Sequence, residues 1–154
     1  MIFVKFNGNK MTKLNILWAS EMGTAMDVAD NVASIAKEKS ININQVELND
    51  VSMDDLVGMK KILVVTSTTG DGDLPMMGEE FWSALNEAEI NLSEIEYSVC
   101  ALGDSSHFDF CGAGRKVDEK FEELGAKKVL ERHECDGDIE GADEWAQKVI
   151  NKFK

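Results

Sequence analysis

The chain reads as an α/β protein, a doubly wound parallel sheet of five strands with helices on both faces, and three observations predict that fold. Apolar runs of strand length alternate with segments of helical period from Leu14 onward, the order that a parallel sheet covered on both faces requires. No internal repeat or low-complexity linker interrupts that order. The segments after the first, third and fourth strands are rich in Gly, Ser, Thr and Asp, and sheets of this kind bind ligands beyond the carboxyl ends of their strands.

Residues 14–19 form the first strand. Residues 24–39 follow as a helix, because Ala25, Val28, Ala29, Val32, Ile35 and Ala36 recur at spacings of three and four and share one face. Residues 43–48 are the second strand, and a short helix starts at Ser52, whose hydroxyl is placed to cap Asp54-Asp55-Leu56. Residues 62–66 are the third strand; Phe81, Trp82 and Leu85 mark the helix after it, and residues 98–102 are the fourth strand. Val117, Phe121 and Leu124 mark a helix that stops at Gly125, the expected C-terminal cap. Residues 128–130 are the fifth strand, and Trp145, Val149 and Ile150 mark the last helix.

Composition narrows the function classes. A chain of 154 residues with 44% hydrophobic residues buries roughly two-thirds of its unfolded surface without metal or disulfide help. A formal net charge of −13 repels nucleic acid and anionic membrane and attracts a basic docking surface on another protein. Cys100, Cys111 and Cys135 are odd in number and form no C-x-x-C pair, so no disulfide framework or zinc site is expected and the compartment is a reducing one, the cytoplasm. No apolar stretch is long enough to span a bilayer, and the first residues lack the core and cleavage site of a signal peptide. Residues 1–10 are expected to be a loose extension, with Met11 as the functional start and 11–154 as a single domain.

The three loops carry the chemistry. Ser20-Glu21-Met22-Gly23-Thr24-Ala25 runs from a buried strand straight into a helix, and the free N–H groups of a helix start, helped by hydroxyls, make an anion site without Lys or Arg. A capped helix start has the same composition. Neither G-x-x-x-x-G-K-[ST] nor a G-x-G-x-x-G after the first strand is present, which disfavours nucleoside triphosphate and a dinucleotide bound in the usual Gly-rich manner. A phosphoacceptor domain of the same winding needs an Asp at the end of the third strand, where Thr66-Ser67 stand instead. In Ser67-Thr68-Thr69-Gly70-Asp71-Gly72-Asp73-Leu74-Pro75, Gly70 and Gly72 give a peptide freedom to present either its C=O or the next N–H, which suits a flavin N5 that gains a proton on one-electron reduction. A surface turn is the plain alternative. In Leu102-Gly103-Asp104-Ser105-Ser106-His107-Phe108-Asp109-Phe110-Cys111-Gly112, aromatic rings lie among small residues, as a large planar cofactor requires; aromatics that cover core look the same. His107 and His133 lie far apart with no ligand partners around either, so no metal is expected.

In combination, order and spacing, these segments resemble the flavodoxin family, particularly its short-chain and MioC-type members and the FMN domains of diflavin reductases, from about Leu14 to Phe153. The resemblance implies a sheet order of 2-1-3-4-5, with no insertion splitting the fifth strand, and one FMN held non-covalently. It implies that Ser20, Glu21, Met22, Gly23, Thr24 and Ala25 enclose the phosphate, mainly through backbone N–H groups. Ser67, Thr68, Thr69, Gly70, Asp71 and Gly72 would lie along the flavin, with Gly70 as the peptide whose carbonyl turns toward N5. Leu102, Gly103, Asp104, His107, Phe108, Phe110 and Cys111 would border the ring and ribityl chain. Three positions depart from the family pattern: Met22 stands where a Thr is common, Thr69 at the usual inner aromatic and His107 at the usual outer Tyr. The implied function is one-electron carriage between a basic-surfaced redox protein, such as a flavodoxin reductase, and acceptor enzymes, by a monomer with no catalytic residues of its own. An FMN-dependent NAD(P)H:acceptor reductase and a flavin-free interaction module of the same fold are the alternatives.

Overall fold

The computed structural model of the chain describes residues 13–106 and 109–153; the proposed extension over 1–10, His107 and Phe108 lie outside the described residues. The elements run β1 (Leu14–Ala19), α1 (Thr24–Glu38), β2 (Ile43–Glu47), a single 3-10 turn at Leu48–Asp50, α2 (Met53–Val57), β3 (Lys61–Thr66), α3 (Met76–Glu87), β4 (Glu96–Gly103), α4 (Gly112–Glu123), β5 (Lys127–Lys128), β6 (His133–Asp136) and α5 (Ala142–Lys152). The sheet order is β2-β1-β3-β4-β5, parallel at every pairing, as expected.

Each central strand divides its side chains between two cores, because successive residues face opposite ways. Leu17, Ala19, Ile62, Val64, Tyr97 and Val99 join one buried cluster with Phe81 of α3 and Phe121 of α4. Leu14, Ile16, Leu63, Val65 and Cys100 join a second with Val28 and Val32 of α1 and Trp145 of α5. These central strands are mostly apolar because both of their faces are covered. The Ser52 cap forms as expected, its Oγ accepting the Asp55 N–H at 3.0 Å.

The fifth position departs from expectation. The strand expected over 128–130 exists only as Lys127–Lys128, and a second piece, His133–Asp136, pairs with the upper half of β4 from Cys100 to Gly103. The chain bends between the pieces because polar groups pull it off the ladder. Ser98 Oγ donates to the Leu130 carbonyl at 2.9 Å, and Arg132 Nη1 reaches the buried Asp118 carboxylate at 2.6 Å. Val129 and Leu130 pack on the second core.

The winding reverses between β1 and β3, so the crevice of this sheet lies past their carboxyl ends.

Candidate functional site

Past those ends the three loops meet around one open cleft of about 300 Å³. From the first loop come Glu21, Met22 and Thr24; from the second, Ser67 and Thr68; from the third, Leu102, Gly103 and Asp104. Glu21, Asp104 and Asp138 line it, and among the described residues no Lys or Arg does. A larger hollow of about 780 Å³ lies at the opposite end of the sheet beside Asn15, Asn44 and Asp54, but the Asn15 amide is already spent on the Lys13 and Lys61 carbonyls and on Asn44. Thr68, which lines the smaller cleft, carries an unpaired buried polar atom. Thr68 Oγ1 is shut from water and, alone among the buried side-chain N and O atoms of the described residues, has no hydrogen-bond partner.

The first loop is a helix start stripped of side-chain cations. Gly23 has φ +93° and opens α1. Of the first-turn N–H groups that no helical carbonyl reaches, that of Ala25 is taken by Ser20 Oγ at 3.2 Å, while the Ala25 methyl is buried in the core. Met22 is exposed at the loop tip.

In the second loop, Ser67 N–H donates to the Ala19 carbonyl at 2.9 Å. Thr69 and Asp73 then exchange both backbone hydrogen bonds, each at 2.8 Å, closing a tight turn with Gly70 and Asp71 exposed at its tip and Gly72 buried.

In the third loop, the Asp104 carboxylate accepts from Ser106 N–H at 2.9 Å and Ser106 Oγ at 2.7 Å. Phe110 packs against the first core and is not among the residues that line the cleft. Cys111 does not reach the cleft: it is buried, its thiol donates to the Ala101 and Cys135 carbonyls, and burial pushes its pKa up to about 12. It acts as a strut beneath Gly103. Asp109 and Arg115 form a two-pronged ion pair, and the guanidinium holds the Asp109 carboxyl below the usual carboxylate range.

Gly137 and Asp138 also line the cleft. They arrive there because β6 carries them up beside β4: Gly137 N–H donates to the Gly103 carbonyl at 2.7 Å, and Asp136 Oδ1 accepts from Ser105 N–H at 2.8 Å. The Asp-Gly-Asp turn at 136–138 is the sequence signal for them, hidden because the expected fifth strand ends at residue 130, six residues short of the Asp136 that opens the turn. Among the described residues no group of three or more His, Cys, Asp or Glu is arranged to hold a metal ion, and no helix is long and apolar enough to cross a membrane.

The family model described as Flavodoxin matches residues 16–147. The chain is 35% identical over 148 residues to the sulfite reductase (NADPH) flavoprotein alpha-component of Mannheimia succiniciproducens, covering 95% of this chain and 25% of that protein. It is 37% identical over 143 residues to the component of the same name from Neisseria meningitidis serogroup A, covering 92% and 24%. The chain thus spans about a quarter of the length of the curated relatives it matches. Among solved structures, the flavodoxin of Streptococcus pneumoniae TIGR4 superposes with a TM-score of 0.80 at 29% identity, over 92% of this chain and 99% of that one. Oxidised Flavodoxin 2 from Bacillus cereus superposes with a TM-score of 0.83 at 25% identity, over 92% and 100%.

Proposed function

The chain belongs to the flavodoxin family, and on that premise we propose that it works as a monomeric cytoplasmic carrier, passing electrons one at a time between a basic-surfaced reductase and acceptor enzymes. The cofactor is FMN, held without a covalent bond; when bound it supplies a ring that takes up and releases single electrons. The observation that carries the reading is the meeting of the three loops at one cleft, with the Thr68 hydroxyl buried there and unpartnered. A hydroxyl left unpaired in a protein interior is costly, and a polar ligand removes that cost. The donor set suits a phosphorylated flavin.

Residues 20–25 hold the phosphate by the N–H groups of the α1 start and by their hydroxyls, with the helix dipole taking the place of a cation. Ser67, Thr68 and Thr69 would hold the polar chain of the cofactor and Gly70, Asp71 and Gly72 would border its ring, the exposed Gly70 peptide being free to offer it either a C=O or an N–H. Leu102, Gly103, Asp104, His107, Phe108 and Phe110 border the other side, and Cys111 supports them from beneath. The carboxylates of Glu21, Asp104 and Asp138 that line the cleft would disfavour added negative charge on a bound ring and so lower the potential for its full reduction. We read the chain as a carrier and not as an NADPH oxidase, because among the described residues no Lys or Arg lines this cleft to receive a 2′-phosphate.

The test is a titration of the protein with FMN and with riboflavin, read by loss of flavin fluorescence. FMN is expected to bind about a hundredfold tighter, about 2.7 kcal/mol of phosphate binding. Equal affinities would mean that residues 20–25 are a capped helix start and nothing more.

A further inference from the structure

Helix α4 opens with two cations that reach back toward the 69–73 turn. Arg115 grips Asp109 with both terminal nitrogens, Nη1 to Oδ1 at 2.7 Å and Nη2 to Oδ2 at 3.0 Å, the geometry in which an Arg–carboxylate pair is most directional. Lys116 Nζ lies 3.5 Å from Asp73 Oδ1, and Asp73 is the residue whose backbone closes the turn on Thr69.

The Asp109 carboxylate is wedged between two glycine backbones. A Cβ on Gly112 would stand 2.7 Å from Asp109 Oδ2 and 2.7 Å from Gly72 Cα, and a Cβ on Gly72 would collide with the same carboxylate. Third loop and second loop therefore meet at this side chain and at the two glycine backbones beside it, and both glycines are what let it in. Asp109 has φ +58°, a left-handed conformation that costs a non-glycine residue about 1 kcal/mol or more. Its side-chain contacts hold it there. Gly70, by contrast, has open space around its Cα apart from the Asp73 carboxylate at 3.4 Å.

We infer that the Asp109–Arg115 pair is a brace that fixes the flanks of the 69–73 turn against the third loop, leaving only the Gly70 peptide at its tip free to turn. The inference rests on the reading of the cleft as a flavin site, and it makes both residues positioning residues. Preorganised flanks reduce the ordering that the turn must undergo when the Gly70 peptide turns.

The test uses Asp109→Asn and Arg115→Gln in the full chain. Asn keeps the shape of the side chain and tolerates the left-handed backbone, so what is lost is the two-pronged grip. In the protein without flavin, amide hydrogen exchange at Thr69 and Asp73 is expected to quicken about tenfold in both variants, the size of a typical contact coupling, while Val64 and Val99 in the sheet keep their rates. With FMN bound, both variants are expected to show a lower peak fraction of one-electron-reduced flavin in a reductive titration. Unchanged exchange at Thr69 and Asp73 overturns the brace. So do potential shifts of opposite sign in the two variants, the mark of an unbalanced charge acting without movement of the turn. Because the exchange measurement needs no flavin, a chain that failed to bind FMN would sink the reading of the cleft and still decide the brace.

Discussion

Thr68 is where stability and binding pull apart at a single residue. Its Oγ1 is buried at the cleft wall with no partner among the described residues, and an unsatisfied buried hydroxyl costs about 1–3 kcal/mol. Thr68→Val keeps the shape and removes the hydroxyl. The variant is therefore expected to stabilise the flavin-free protein by about 1 kcal/mol, read as a higher urea midpoint at unchanged slope, and to weaken FMN roughly tenfold, read by fluorescence titration. A loss in both measurements would place the hydroxyl in the protein's own packing. Thr68 was legible in the sequence as a member of a Ser-Thr-Gly-Asp loop, but its lack of a partner was not, since that depends on which neighbours the fold supplies. Conversely, Asp118 was unremarked in the sequence because a lone Asp on a charged helix reads as solvated. The structure buries it with Tyr97, Lys128 and Arg132 as partners, and this ion cluster fastens α4 to the edge of the sheet.

Among the elements, α4 shows what composition can and cannot announce. Its C-terminal end was legible: Gly125, at φ +103°, donates its N–H to the Glu122 carbonyl at 3.0 Å, and Ala126 donates to Phe121 at 3.0 Å, the paired bonds of a glycine-stopped helix. A Cβ on Gly125 would meet nothing closer than 3.5 Å, so Gly125→Ala isolates the backbone cost. A loss of about 1 kcal/mol in unfolding free energy is expected, with FMN affinity unchanged because this end of α4 is remote from the cleft loops; a fall in affinity would mean that α4 moves as a unit with the site. The N-terminal end was not legible, since Arg115 and Lys116 look like ordinary surface charges until the fold sets them over Asp109 and Asp73. The split fifth strand escaped for a related reason. Val129 and Leu130 supplied an apolar run, but they pack on the core where the chain bends, while the second piece, His-Glu-Cys-Asp, buries Cys135 alone and carries the charge that edge strands use against unwanted pairing. The central strands, buried on both faces, announce themselves in sequence, and this split strand at the β4 edge does not.

For the whole molecule, the excess of 29 acidic over 16 basic side chains was legible from composition, and so were Glu21 and Asp104 in loops without Lys or Arg, whereas the arrival of Asp138 beside them at the cleft was not. That placement makes two salt effects of opposite sign follow from one charge distribution. On the proposed reading, the FMN phosphate is an anion that enters a negative potential and is held by N–H dipoles acting only at contact range. Added salt shortens the screening length from about 30 Å at 0.01 M to about 8 Å at 0.15 M, which weakens the long-range repulsion and leaves the contact hydrogen bonds in place. FMN affinity is therefore expected to rise several-fold over that range, while riboflavin, which carries no phosphate, binds with nearly constant affinity. Encounter with a basic redox partner depends on the same potential as an attraction, so its electron-transfer rate is expected to fall as salt rises. Both are measured on one preparation, by fluorescence titration and by stopped-flow reduction at each salt concentration. FMN binding that weakens with salt would mean that a side-chain cation holds the phosphate, which the residues lining the cleft do not supply, and a partner rate indifferent to salt would mean that the net charge keeps the protein apart from its neighbours without guiding it to any of them.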